Sequence, residues 1–284
     1  MQKKCLSLCA CCLGFILMTG SLPCLASPPL MLATVYPQDV ADFPVEDYWV
    51  SEKLDGVRAR WDGQQLLSKN GYKFAAPAWF TEQFPEVVME GELWTQRQSY
   101  EKISSITSQH TPHNGWAKIK LMLFDLPEQG GTFSERVSAM QQLVANINSD
   151  YLGMIPQFRL ANKQQLMQRL NQVVKAGGEG LMLHHQAAHY VHGRSDALLK
   201  LKLYQDADAT VIAYKPGKGK FSGMLGSIKV RDDQGREFYI GSGFSHQQRK
   251  HPPVLHSRVT YRYQGLTRHG LPRFPVFLRV RTEK

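Results

Sequence analysis

Lys53, Asp55 and Arg58 sit within six positions of each other, in the run Ser51-Glu52-Lys53-Leu54-Asp55-Gly56-Val57-Arg58. An amine, a carboxylate, a glycine that permits a sharp turn and a guanidinium suited to hydroxyl or phosphate oxygens would together serve attack on an electrophile. A lysine in that role reacts only as the neutral amine, so its surroundings have to lower a pKa that is ordinarily about 10.4. The same short pattern also occurs in plain surface turns. Its meaning therefore depends on the residues further along the chain.

Four later segments bear groups that a nucleotidyl-transfer site needs. Glu90-Gly91-Glu92 follows the apolar Val87-Val88-Met89, and Glu92 is suited to a ribose hydroxyl or a metal. Phe124-Asp125-Leu126-Pro127 ends a short apolar strand and offers an aromatic face on which a purine could stack. Glu179-Gly180-Leu181-Met182 places a carboxylate at the start of another strand, appropriate for Mg²⁺ with its preference for oxygen ligands. Leu198-Leu199-Lys200-Leu201-Lys202 alternates, which predicts that Lys200 and Lys202 project from one face. Singly, each reads as well as a solvated turn acid, a core aromatic or the wet side of an edge strand. The ordered set is what points to chemistry. A further cluster, His184, His185, His189 and His192, has one pair at a spacing compatible with a metal, but no companion motif; loop or DNA-facing histidines fit it better.

The elements that must position these residues divide in two. Tyr48-Trp49-Val50 and the alternating Val57–Trp61 read as strands on either side of the Lys53 turn. Helices are predicted from Ser134, taken as a cap, to Ile147, and from Lys163 to Ala176 before Gly177-Gly178. Strands and helices interleave up to about Tyr204, an α+β pattern. Asp206-Ala207-Asp208 then reads as a polar connector. Beyond it, five candidate strands at 210–214, 227–230, 237–240, 258–263 and 276–280 fit a small β-barrel of the OB type, with a small β-sandwich as the alternative. The Lys215–Lys220 run, rich in glycine and lysine, is a basic turn suited to phosphates or simply to solvent.

The first residues obey a different grammar. Lys3 and Lys4 precede an uncharged apolar run from Leu6 to Met18, and Cys24-Leu25-Ala26 offers a cleavage site before Ser27. The apolar run is short for a membrane span of about 20 residues. All five cysteines lie ahead of Ser27, so the mature chain would carry no thiol, which suits an oxidising compartment and excludes cysteine nucleophiles or cysteine-bound zinc. The net charge is +10, and losing Lys3 and Lys4 still leaves a clear basic excess. An anionic partner is implied, and nucleic acid is the natural one.

The ordered motifs resemble those of ATP-dependent DNA ligases of the nucleotidyltransferase superfamily, specifically the minimal exported bacterial type called Lig E. Lys53–Arg58 resembles the nucleotide-attachment motif. Glu90–Leu93, Leu121–Pro127, Glu179–Met182 and Leu198–Lys202 are similar to the successive motifs of the adenylation domain, with Tyr190 and Gly193-Arg194-Ser195 leading into the last. Phe274–Arg281 resembles the terminal motif of the OB domain. Three departures stand out: Glu90 where many members carry Asp, Lys69 where relatives often carry Arg, and Thr282-Glu283-Lys284 in place of a clear Asp-Lys ending.

The resemblance implies a signal peptide at 1–26, an adenylation domain at 27–205 and an OB-fold domain at 206–284, with no added N-terminal DNA-binding domain. It implies ATP and Mg²⁺ as cofactors, nicked duplex DNA as substrate, a monomer, and a periplasmic location with no membrane anchor after signal removal. Lys53 would become adenylated and Asp55 would serve the DNA-bound steps. Arg58 and Glu92 would hold the ribose, Phe124 the adenine, Lys200 and Lys202 the α-phosphate, and Arg281 the triphosphate as the OB domain turns about the Asp206 region. Glu179, with Glu92, would hold the metal; Lys69, Lys218 and Lys220 would meet DNA. Two rival readings are an RNA-end ligase of the same superfamily and a non-catalytic exported nucleic-acid-binding protein.

Overall fold

A computed structural model describes residues 28–37, 40, 42–267 and 269–281. The leader expected at 1–26 and the terminal Thr282-Glu283-Lys284 lie outside the described residues.

Two five-stranded sheets build the first domain. One runs in the order Met31–Val35, Gly193–Leu201, Gly180–His185, Tyr48–Lys53, Gln157–Arg159. The other runs Leu66–Ser68, Val57–Trp61, Met89–Trp94, Lys120–Asp125, Leu152–Met154. The chain leaves the first sheet at Lys53 and enters the second at Val57, so the Lys53–Arg58 segment is the crossing between them. Gly56 makes that crossing possible: a Cβ there would collide with the Leu93 carbonyl oxygen.

Each sheet is backed by a helix whose apolar residues recur at helical spacing. Leu166, Leu170 and Val173 of Lys163–Lys175 pack against Val50, Leu181 and Leu199. Phe133, Val137 and Met140 of Phe133–Asn146 pack against Leu121, Leu123 and Leu152. Burying each such side chain stabilises the fold by roughly 1.5–3 kcal/mol. The helix Phe133–Asn146 is capped two residues earlier than expected, because Thr132 and Glu135 form a reciprocal capping box; Ser134 is inside the first turn and accepts a bond from Trp49 Nε1 at 2.9 Å. Asn162 caps the other helix, ahead of Lys163.

The last domain is a five-stranded sheet in the order Glu237–Ile240, Leu225–Asp232, Gln205–Pro216, Arg258–Tyr263, Val276–Val280. A parallel bridge from Ser242 to Val276 joins its two edges and curls the sheet into a barrel around Val211, Ile228, Val259 and Phe277. All five expected strands are present. The Asp206–Asp208 connector is not: these residues belong to the long strand Gln205–Pro216. Their acids alternate with buried or half-buried alanines and pair across the strand, Asp206 with Arg262 at 3.2 Å and Asp208 with Thr260 at 2.8 Å. The link between the domains is the short segment 202–204.

Candidate active site

The two sheets of the first domain enclose a cavity of about 490 Å³. Ser51, Lys53, Met182 and Lys200 line it from the first sheet; Arg58, Glu90, Glu92 and Phe124 line it from the second. Most of the residues expected from sequence to form the site therefore converge on one space. Glu90-Gly91-Glu92 does so from within the strand Met89–Trp94, rather than after one, because Gly91 lets the strand pass tightly over Leu121 and the Met122 carbonyl.

Lys53 ends its strand opposite Gly180, where a side chain would collide with the Leu201 carbonyl. That close approach delivers Glu179 to the lysine. Glu179 Oε2 accepts from Lys53 Nζ at 2.7 Å, and its other oxygen accepts from Lys202. One carboxylate thus restrains two ammonium groups. Burial pushes Glu179 up, but the two lysines outweigh it and hold the carboxyl below its ordinary value. Lys202 is driven down by burial and by the charges of Lys53 and Lys200, against the pull of Glu179. The expected pairing of Lys200 and Lys202 on one face is corrected here. The strand ends at Leu201, so Lys200 faces the cavity while Lys202 turns to Glu179 and to Gln264 Oε1 of the OB domain at 2.9 Å.

Glu92 accepts from the Gly56 amide at 3.2 Å. Burial raises its carboxyl to about 7, against the lowering charges of Lys53 and Arg58. The folded form therefore holds a proton that an unfolded chain releases near the ordinary value of 4.5. Stability contributed by that proton is full at low pH and is lost as pH rises from about 4.5 to about 7. Glu92→Gln, which keeps the neutral shape and the acceptor for Gly56, is expected to gain on the wild type across that window. Thermal melts at a series of pH values would show the gap widening; a constant gap would contradict the assignment.

Arg58, expected to hold the ribose, is already engaged. It donates to Glu90 Oε2 at 2.5 Å and to the Met31 carbonyl at 2.9 Å, and its guanidinium lies 5.2 Å from the centre of the Phe124 ring. Glu90 also accepts from Arg60 at 3.2 Å and from the Tyr190 hydroxyl at 2.7 Å. Tyr190 in turn accepts from the Met31 amide at 3.0 Å, so the edge strand Met31–Val35 is fastened to the floor of the site. Beneath this network Arg136, fully buried, grips Asp125 with Nε at 2.6 Å and Nη2 at 3.2 Å. Sequence reasoning assigns no role to Arg136. Its signal is a charge on the buried stripe of an amphipathic helix, beside Phe133 and Val137.

Asp55 points away from the cavity to Arg273 of the OB domain, 2.8 Å away. This ion pair closes the barrel over the attachment loop and borders a second cleft, of about 760 Å³, between the domains. Arg281 is not brought to the site; it is exposed and bound to Asp208 within the barrel. Lys69 is exposed on the cavity rim beside Asn70, while Lys218 and Lys220 are exposed at the Gly219–Phe221 turn of the barrel. The histidine cluster disperses: His184 is buried against Phe133, His185 packs edge-on to Tyr48, and His192 packs on Tyr190.

A lysine poised at the mouth of a two-sheet cavity, with an OB barrel hinged behind it, defines a nucleotidyltransferase of the ligase kind. Residues 30–202 match the ATP dependent DNA ligase domain and residues 216–281 the DNA ligase OB-like domain, and the chain belongs to the family of ATP-dependent DNA ligases. Within that family it is similar to Lig E DNA ligases, one structure of which aligns with a TM-score of 0.84 and 44% identity over 89% of this chain and 98% of the other. A DNA ligase of Haemophilus influenzae is 38% identical over 254 residues, 89% of this chain and 92% of that protein. The Chlorella virus DNA ligase–adenylate aligns with a TM-score of 0.52 and 26% identity, over 92% of this chain and 99% of the other. The protein is an ATP-dependent DNA ligase with an adenylation domain followed by an OB-fold domain.

Proposed function

We propose that this ligase seals 5′-phosphate/3′-hydroxyl nicks in duplex DNA as a periplasmic monomer, with Lys53 as the residue that carries AMP. The position of Lys53 Nζ, 2.7 Å from Glu179 at the cavity mouth, supports this reading most strongly. In the first step the neutral amine attacks the α-phosphorus of ATP. A nitrogen–phosphorus bond forms, the bond to the β-phosphate oxygen breaks, and pyrophosphate leaves. Glu179 would take the amine's proton, and Lys200, which faces the cavity, would offset the charge that builds on the phosphate, with Lys202 held on Glu179 behind it. A 5′-phosphate oxygen of the nick then displaces Lys53 from AMP, and the 3′-hydroxyl displaces AMP to complete the phosphodiester.

Glu92 and Glu179 lie near enough for each charge to act on the other, and such a carboxylate pair suits Mg²⁺, which takes one or two carboxylates together with substrate phosphates. Among the described residues no three acidic, histidine or cysteine side chains group as metal ligands, so the remaining coordination would fall to phosphates and water. Bound there, the ion would neutralise phosphate charge. Phe124, on the cavity wall, would stack on the base. Lys69, Lys218 and Lys220 would contact DNA phosphates from the rim and the barrel. The Lig E relative is described as binding DNA with a minimal scaffold, and this chain is proposed to bind DNA with its adenylation and OB domains.

Comparing sealing of nicked DNA and nicked RNA duplexes tests the substrate: faster joining of RNA ends would favour the RNA-ligase reading. Location is tested by N-terminal sequencing of the protein from the cell envelope, expected to begin at Ser27.

The Asp55–Arg273 pair gives a sharper expectation. Arg273→Ala should leave formation of the lysine–AMP bond nearly unchanged, while slowing single-turnover sealing by the adenylated enzyme about tenfold, the worth of one charge-assisted hydrogen bond. Equal slowing of both steps would show that the pair shapes the attachment loop instead.

A further inference from the structure

The OB barrel reaches the surroundings of Lys53 through the base of one hairpin. Beyond the strand Arg258–Tyr263 the chain doubles back, with Leu266 bridged to Pro272. The Gln264 amide donates to the Arg273 carbonyl, and the Arg273 amide to the Gly265 carbonyl, each at 3.0 Å, so the two residues are held close together. Their side chains run to two groups that adjoin Lys53, one in sequence and one in space. Arg273 reaches Asp55 at 2.8 Å, and Gln264 Oε1 accepts from Lys202 Nζ at 2.9 Å. Lys202 also donates to Glu179, the carboxylate that holds Lys53.

Lys202 stands between two uses. Its strand ends at Leu201, and continued alternation would send it to the face from which Lys200 enters the cavity. An ammonium carries three donors, and Glu179 and Gln264 here occupy two of them. The Lys202 side chain is only 13% exposed, so little water competes for it. The Gln264 oxygen adds direction without adding charge: it fixes the ammonium on Glu179, outside the cavity that Lys200 lines. A hydrogen bond to a charged group shifts the balance between two such positions by about tenfold or more. In the same arrangement Arg281, expected at the triphosphate, is bound to Asp208 within the barrel.

We propose that Gln264 is a positioning residue that acts from the OB domain on Lys202. With the hairpin docked as here, Lys202 neutralises Glu179 and Lys200 alone of the two faces the nucleotide phosphate. With the hairpin lifted, Glu179 is the one restraint left on Lys202 among the described residues. The lysine is then free to follow the strand's alternation and join Lys200 at the phosphate during attack on ATP. One side chain on the barrel thus divides the work of Lys202 between forming the Lys53 adduct and sealing the nick. This rests on the nucleotide-site reading of the cavity and adds an interdomain partner to it.

The test times two steps separately: Lys53 adduct formation with ATP, and single-turnover sealing of a nick by enzyme already adenylated. Gln264→Ala frees Lys202 and should raise the first rate relative to the second by about tenfold. Gln264→Glu offers Lys202 a second carboxylate and should lower the same ratio by a similar factor. Loss of a contact that only shapes the fold would not move the ratio in opposite directions. In a Lys202→Met background, which keeps an apolar stem without the ammonium, Gln264→Ala should leave the ratio where it was. Shifts in the same direction, or an unchanged ratio in either single variant, overturn the proposal. So does an effect of Gln264→Ala that persists beside Lys202→Met. Absence of any adduct in wild type would instead sink the reading of the site itself. Gln264 is half-buried at the hairpin base, and the opposite signs of its two variants decide the matter even if Lys202→Met is too slow to time.

Discussion

Lys53→Ala is expected to lose the covalent adenylate entirely, with ATP-driven nick joining down by at least about 10⁴-fold. The variant should still fold. Lys53 is a quarter exposed at the cavity mouth, and losing its bond to Glu179 leaves that carboxylate with Lys202, so the stability change should stay within about 1 kcal/mol. Lys53→Arg separates the two roles of the residue. A guanidinium can keep the ion pair but has no nucleophilic amine at working pH, so it too should form no adduct. Both variants should nevertheless seal a nick whose 5′-phosphate already bears AMP, since that last step does not use the lysine nitrogen. Incubation with labelled ATP, followed by peptide mapping, reads the first effect; a pre-adenylated nick reads the second. An adduct mapped to another residue would overturn the mechanism.

The largest effect on stability is expected at Arg136. Its replacement by leucine leaves the Asp125 carboxylate buried without its partner, and removes donors from the Gly131 and Ala188 carbonyls at 3.0 and 3.1 Å. Breaking one side of a buried pair costs about 3–5 kcal/mol, visible as a large drop in urea midpoint. Adding Asp125→Asn should return part of the loss, because the remaining group is then neutral. Phe124 adjoins Asp125, so affinity for ATP should fall with the single change and recover partly with the double. Full independence of the two substitutions would mean that the pair does not act as one unit.

Local patterns carry much of this molecule. Alternation places the five barrel strands, and helical spacing places both long helices, because each signal lies within one element. Some residues that line the two-sheet cavity leave a compact trace as well, since each stands near a strand end: Lys53 before Gly56, and Phe124 near the end of its strand. Long-range pairing is not legible. Asp55 and Arg273 are 218 residues apart, and nothing near either one announces the other. Arg58 reads as a ligand group because its sequence neighbours do not reveal Glu90. The Asp206–Asp208 stretch reads as a linker because acids usually mark turns, whereas here basic and hydroxyl side chains on the neighbouring strand absorb them. The cap at Thr132 is written in the sequence as Thr132-x-x-Glu135, but Ser134, an equally good capping residue two positions on, masks it.

A single carboxylate tethered to two ammonium groups also makes the charge of this enzyme a record of where it stands in its cycle. On the proposed mechanism, a Lys53 that holds AMP has lost its positive charge and gained a phosphate negative charge, while Lys202 keeps Glu179. Loaded and unloaded molecules should therefore separate on an ion-exchange column, and the proportion loaded in cells could be counted directly from the two peaks.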